Sequence, residues 1–110
     1  MERVVLFSLN TDHIKIIIEA YFDNVGHLII EGYDIGKTVE EYWGDSDYEY
    51  STTIPPDEVK KLYVALNLTP DSKDELLNYL QTHYNKNDCY SKIQELLTHH
   101  HIRSEGFSWN

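Results

Sequence analysis

The chain reads as an α+β protein, a four-stranded antiparallel sheet built by its first half and followed by three helices packed on one sheet face. Three observations predict this. Branched and apolar residues run or alternate at period two up to Ile54; a Pro55-Pro56 pair then ends that pattern; and beyond it the apolar residues recur every three or four positions. Strands segregated ahead of helices argue against a doubly wound sheet and leave the second face open.

Residues 4–9 form an apolar, branched run, and the turn-prone Asn10-Thr11-Asp12 separates it from residues 13–22, where Ile14, Ile16, Ile18, Ala20 and Phe22 share one face. A hairpin follows from that pattern. Asp23-Asn24-Val25-Gly26 makes a second turn, and residues 27–35 set Leu28, Ile30 and Gly32 against Ile29, Glu31, Tyr33 and Ile35. After Gly36 and a connection carrying residues 40–44, residues 47–54 resume alternation, with Tyr48, Tyr50, Thr52 and Ile54 on one side. Which side of each strand meets the core stays open, because a shift of one residue exchanges the faces.

Pro56 suits a first helical turn and Asp57-Glu58 suit its positive end, so residues 56–67, with Val59, Leu62, Tyr63 and Leu66 in register, form the first helix. Ser72 and Glu75 have the spacing of a capping box ahead of Leu76, Leu77, Leu80 and Tyr84, a second helix ending near Asn85. Asp88 can cap a third, whose Tyr90, Ile93, Leu96 and Leu97 share a face, and Phe107 and Trp109 are expected to anchor the chain end on the core.

At 110 residues, 41% of them hydrophobic, residues 1–110 suit one domain, and an aromatic content of 13% opposes disorder despite a net charge of −10. Ten acids between Asp23 and Glu58 face the single base Lys37. Such a region repels DNA, RNA and anionic lipid, which draw affinity from lysine and arginine. Cys89 is the only cysteine, no apolar run approaches membrane-spanning length, and the first ten residues lack a signal-peptide pattern, so the expected setting is the cytoplasm.

The segment 31–50 interleaves carboxylates with large rings. One reading is a solvated acidic face whose rings are core or edge residues. The other is a partner-binding patch of Glu40, Glu41, Tyr42, Trp43, Asp45, Asp47, Tyr48 and Glu49, in which carboxylates steer the encounter with a basic protein and rings fill its pockets.

No catalytic constellation accompanies it. Asp45-Ser46-Asp47-Tyr48-Glu49 alternates acids like a calcium loop, yet Tyr50 and Pro56 stand where an EF-hand needs glycine and glutamate. His99-His100-His101 project about 100° apart on a helix and cannot all reach one ion, whereas imidazolium suits a helix C-terminus. Cys89 and these histidines lie at opposite ends of the proposed helix, ~15 Å apart, too far for a Cys-His nucleophile. Phosphate-loop, GxGxxG, HExxH and GxSxG motifs are absent from the sequence. The expectation is therefore no enzyme, no cofactor and no metal.

The runs Gly32-Tyr33-Asp34-Ile35-Gly36 and Val39-Glu40-Glu41-Tyr42-Trp43-Gly44-Asp45-Ser46-Asp47-Tyr48-Glu49-Tyr50 resemble a segment of small bacterial proteins. In size, acidity and strand-then-helix layout the chain also resembles the immunity proteins of bacterial toxin systems, which bind and neutralise a cognate toxin, often a basic nuclease. That resemblance implies an antitoxin-like, acidic protein-binding inhibitor with a basic partner and no catalytic residues to carry over. Two alternatives differ in class: a nucleic-acid mimic from a phage or mobile element, whose carboxylates would follow phosphate spacing, and a small metal-dependent enzyme using His83, His99 or His101 with carboxylates. Monomer and homodimer both stay open, since residues 4–9 could form an exposed edge strand.

Overall fold

In the computed structural model, residues 3–36 and 47–109 are described, without the side chains of Asp47 and Trp109. The first four strands fall where alternation puts them: β1 (Arg3–Asn10), β2 (Ile14–Phe22), β3 (Leu28–Gly36) and β4 (Asp47–Ile54). Three helices follow, α1 (Pro56–Ala65), α2 (Lys73–His83) and α3 (Cys89–His99), and the chain then returns to the sheet as β5 (Glu105–Trp109). All pairings are antiparallel, in the order β1-β2-β3-β4-β5.

The sheet therefore has five strands, where the sequence predicts four. Phe107 does not anchor on the core as expected: it pairs with Ser51 in the added strand and is 61% exposed, while Trp109 pairs with Glu49. A five-residue strand containing Gly106 has little propensity of its own. Its ladder partner is β4, some fifty residues earlier in the chain, and no local pattern announces that pairing.

The core lies between one sheet face and the helix layer. Ile18, Ala20, Phe22, Leu28, Ile30 and Ile54 from the strands meet Val59, Leu62, Leu76, Leu80, Ile93 and Leu97 from all three helices in one buried cluster. Burying each of these larger side chains contributes about 1.5–3 kcal/mol over leaving it exposed. Leu6 joins the cluster at a β-bulge in β1, between the Val5↔Glu19 and Phe7↔Ile18 pairs. Gln81 donates to the Val5 carbonyl at 3.1 Å, so α2 covers part of that edge strand.

Two turns show how local chemistry fixes the frame. Asp23 Oδ1 accepts the N–H groups of Val25, Gly26 and His27, each at 2.9 Å, and Gly26 takes the φ of +102° that closing the β2–β3 turn requires. Helix α1 ends with Asn67 left-handed and the Leu68 N–H bonded to the Tyr63 carbonyl; α3 repeats the motif with His101 left-handed and the Ile102 N–H on Leu97.

The capping box predicted at Ser72 and Glu75 does not form. Ser72 makes no side-chain cap bond, and Glu75 instead accepts the Thr69 N–H at 3.0 Å, because the preceding turn brings that donor within reach. Asp88 likewise makes no side-chain cap bond at the start of α3. Glu58 ties α1 to the approach to β5: its buried carboxylate accepts the Arg103 N–H at 2.6 Å and lies 2.9 Å from Lys61 Nζ, and the two partners, Arg103 first, hold its carboxyl below the usual range.

Candidate functional site

The five strands present two faces, and the helices take one of them. On the other, Ile17, Tyr21, Ile29, Tyr33 and Ile35 stay half-buried and outside the core cluster. Register lays this open face out in rows. Ile17, Tyr33, Glu49 and Trp109 pair successively across β2, β3, β4 and β5, and beside them run Glu19, Glu31, Ser51 and Phe107. A shallow hollow of about 510 Å³ opens between the rows, lined by Ile17, Glu19, Glu31, Tyr33, Glu49 and Phe107.

The electrostatics of the face are graded. Near β1, Arg3 reaches both Glu31 and Glu19, the latter at 3.2 Å, with its guanidinium carbon 3.9 Å above the Tyr21 ring. The hydrogen bond to Glu31 leads in raising the Arg3 pKa above its ordinary value. Burial, then the Glu31 carboxylate, pushes the Tyr21 hydroxyl up, and that hydroxyl donates to Glu31 at 3.2 Å. Two of the acids thus share one cation. Toward β5, Glu49 makes no ion pair among the described residues, and it sits opposite Tyr33 with Phe107 exposed on the neighbouring row.

This arrangement divides the patch predicted from sequence. Tyr48 and Glu49 are consecutive in β4 and so project to opposite faces, Glu49 to the open side and Tyr48 to the helix side beside Tyr50, ring centroids 5.5 Å apart. Asp47 pairs with Ile35 at the start of β4, an open-face position by register. Glu40, Glu41, Tyr42, Trp43 and Asp45 lie outside the described residues. Glu19, Glu31, Tyr33 and Phe107 were not among the predicted partner-binding residues, although the alternation of Ile29, Glu31, Tyr33 and Ile35 already grouped part of this face.

Beneath the helix layer, β4 carries a polar and aromatic chain. Tyr50 lies across Gly32, so closely that a Cβ there would stand 2.2 Å from the ring, and its hydroxyl donates to Asp34 Oδ1 at 3.1 Å. Burial first, then Asp34, pushes the Tyr50 phenol far above its usual range. The Tyr50 ring meets Tyr90 edge to face at 4.7 Å, the Tyr90 hydroxyl lies 2.6 Å from Thr52 Oγ1, and Gln94 donates to that oxygen at 2.7 Å.

His83, His99 and Cys89 border a different cavity, about 1010 Å³ between the end of α2 and α3, lined also by Tyr79, Tyr84 and Lys86, whereas His100 and His101 do not line it. His83 stacks on Tyr79 at 4.1 Å and its Nδ1 lies 3.0 Å from the Tyr79 carbonyl, while His99 and His100 contact each other at 4.9 Å. Cys89 is buried, and that burial raises its thiol pKa, the opposite of an activated nucleophile. Among the described residues no three histidines, cysteines or carboxylates converge as a metal site, and no helix is long and apolar enough to cross a membrane.

Comparison with protein families, curated proteins and solved structures finds no match to this chain.

Proposed function

We propose that the chain is an acidic protein-binding inhibitor of the immunity-protein kind, which occupies the substrate-facing surface of a basic toxin such as a nuclease. The observation that carries this reading is the open sheet face. In a chain of net charge −10, that face combines Glu49 without an ion pair among the described residues, the half-buried Tyr33 and the exposed Phe107 on hydrogen-bonded strands. Carboxylates of this kind accelerate encounter with a positive surface, and rings fixed on a rigid sheet supply the short-range contact that slows dissociation. Glu40, Glu41, Tyr42, Trp43 and Asp45, which lie outside the described residues, are included in the proposed binding region on the sequence alone.

The test is capture from native lysate at low and high salt, run in parallel with the wild-type chain and with Phe107→Ala. A basic protein should be retained by the wild type, weakened by salt, and bound at least about 2 kcal/mol less tightly by Phe107→Ala while the variant stays folded. Equal retention by the folded variant, or a captured partner with no basic surface, overturns the reading.

A further inference from the structure

Where the sheet emerges from under α3, the polar and aromatic chain of β4 opens into a second hollow of about 580 Å³, lined by Asp34, Tyr48, Tyr50, Asn87, Tyr90 and Ser108. Tyr50 and Phe107 border both this hollow and the one on the open face. Its composition is specific. The Tyr50 ring contacts both Tyr48 and Tyr90, and all three tyrosines line the hollow together with the half-buried Asp34. Asp34 receives the Tyr50 hydroxyl on Oδ1 and makes no ion pair among the described residues.

We propose that this hollow receives the guanidinium of an arginine side chain from the basic partner, held by Asp34 and stacked among the tyrosines; the inference rests on the reading above that such a partner is bound. A planar guanidinium stacks on aromatic rings and forks onto a carboxylate, which matches a site offering both. A half-buried carboxylate, which among the described residues is met only by the Tyr50 hydroxyl, gains more from a cation than a fully solvated one does. Burial already pushes the Asp34 carboxyl above its ordinary range, with the Tyr50 hydroxyl pulling the other way. The first turn of α3 borders the hollow and opposes a cation with a partial positive charge of about one half, which the full charge of Asp34 outweighs.

The experiment uses the isolated, isotope-labelled chain and two neutral-backbone probes, N-acetylarginine methylamide and its uncharged isostere N-acetylcitrulline methylamide. Arginine should give saturable amide shifts at Asn87, Tyr90 and Ser108, and citrulline at least about tenfold weaker ones, the factor that one cation–π or ion-pair contact supplies. Asp34→Asn keeps an acceptor for Tyr50, removes the charge and should weaken the arginine probe by a similar factor. Equal binding of the two probes, or full affinity in a folded Asp34→Asn, overturns the proposal; if that variant does not fold, the ratio of the two probes on the wild type decides alone. No partner is present in this titration, so its failure leaves the inhibitor reading standing, whereas failure of the capture experiment removes the partner and leaves only a hollow that binds free arginine.

Discussion

The two faces of the sheet are made from the same strands and nearly the same residue types, yet they do opposite work. On β3, Ile30 is fully buried beneath the helices while Ile29, one residue away, is half-buried on the open side. On the covered face the polar groups are tied to one another: Thr52 to Tyr90 and Gln94, Tyr50 to Asp34. On the open face the carboxylates nearest β1 are tied to Arg3, whereas Glu49 near β5 has no ion pair among the described residues. Hydrophobicity alone therefore does not separate the core face from the open face here. What separates them is whether a helix covers the row, because a covered polar group must be paired and an uncovered one need not be.

The largest expected effect sharpens this contrast directly. Ile30→Ala should cost about 2–5 kcal/mol of stability, with transfer and cavity terms both present, whereas Ile29→Ala should cost less than about 1 kcal/mol. Urea unfolding of the two variants measures it, and equal losses would mean that the open face is covered after all.

Next comes the close approach on the covered side. Gly32→Ala places a methyl in the space of the Tyr50 ring and must displace it from Asp34, at about 1–3 kcal/mol. In a Tyr50→Ala background the same change should be close to neutral. A double-mutant cycle reads the difference, and additive costs would show that the ring is not what Gly32 accommodates.

The smallest effect is a pair of opposed pH dependences on the helix side. Glu58 is held below its ordinary pKa by the Arg103 N–H and Lys61, so its contribution is complete above the unfolded value of about 4.3 and is lost as pH falls through the folded value. Glu58→Gln should flatten the loss of stability in acid. Burial raises Asp34, so protonation favours the folded state and that contribution is lost as pH rises through its folded value; Asp34→Asn should make the acid loss steeper. Urea midpoints between about pH 3 and 7 compare the two slopes with that of the wild type.

Much of this architecture was legible without coordinates, for reasons that differ element by element. The alternation grouped Ile14, Ile16, Ile18, Ala20 and Phe22 on one face of β2 and Tyr48, Tyr50, Thr52 and Ile54 on one face of β4, because a period of two is a property of the strand itself, but which of the two faces meets the core came only from the helices. The helix boundaries followed from Pro56 and from apolar spacing to within a few residues. The candidate site was less legible. Grouping Tyr48 with Glu49 treated neighbours in sequence as neighbours in space, which a strand forbids. Phe107 read as a core anchor because an aromatic near a chain end usually is one, and only the pairing of β5 with β4 turns it outward.

The sequence by itself determined the local periods, the turns at Asp23-Gly26 and Pro55-Pro56, the excess of acid and the residues able to form a core, since each depends on neighbours a few positions apart. The tertiary structure alone decided the fifth strand, which face the helices cover, the pairing of Arg3 with Glu19 and Glu31, and the meeting of Asp34, Tyr50 and Tyr90. Those depend on contacts between residues far apart in the chain, whose loop-closure cost is met only when the whole sheet and helix layer form together.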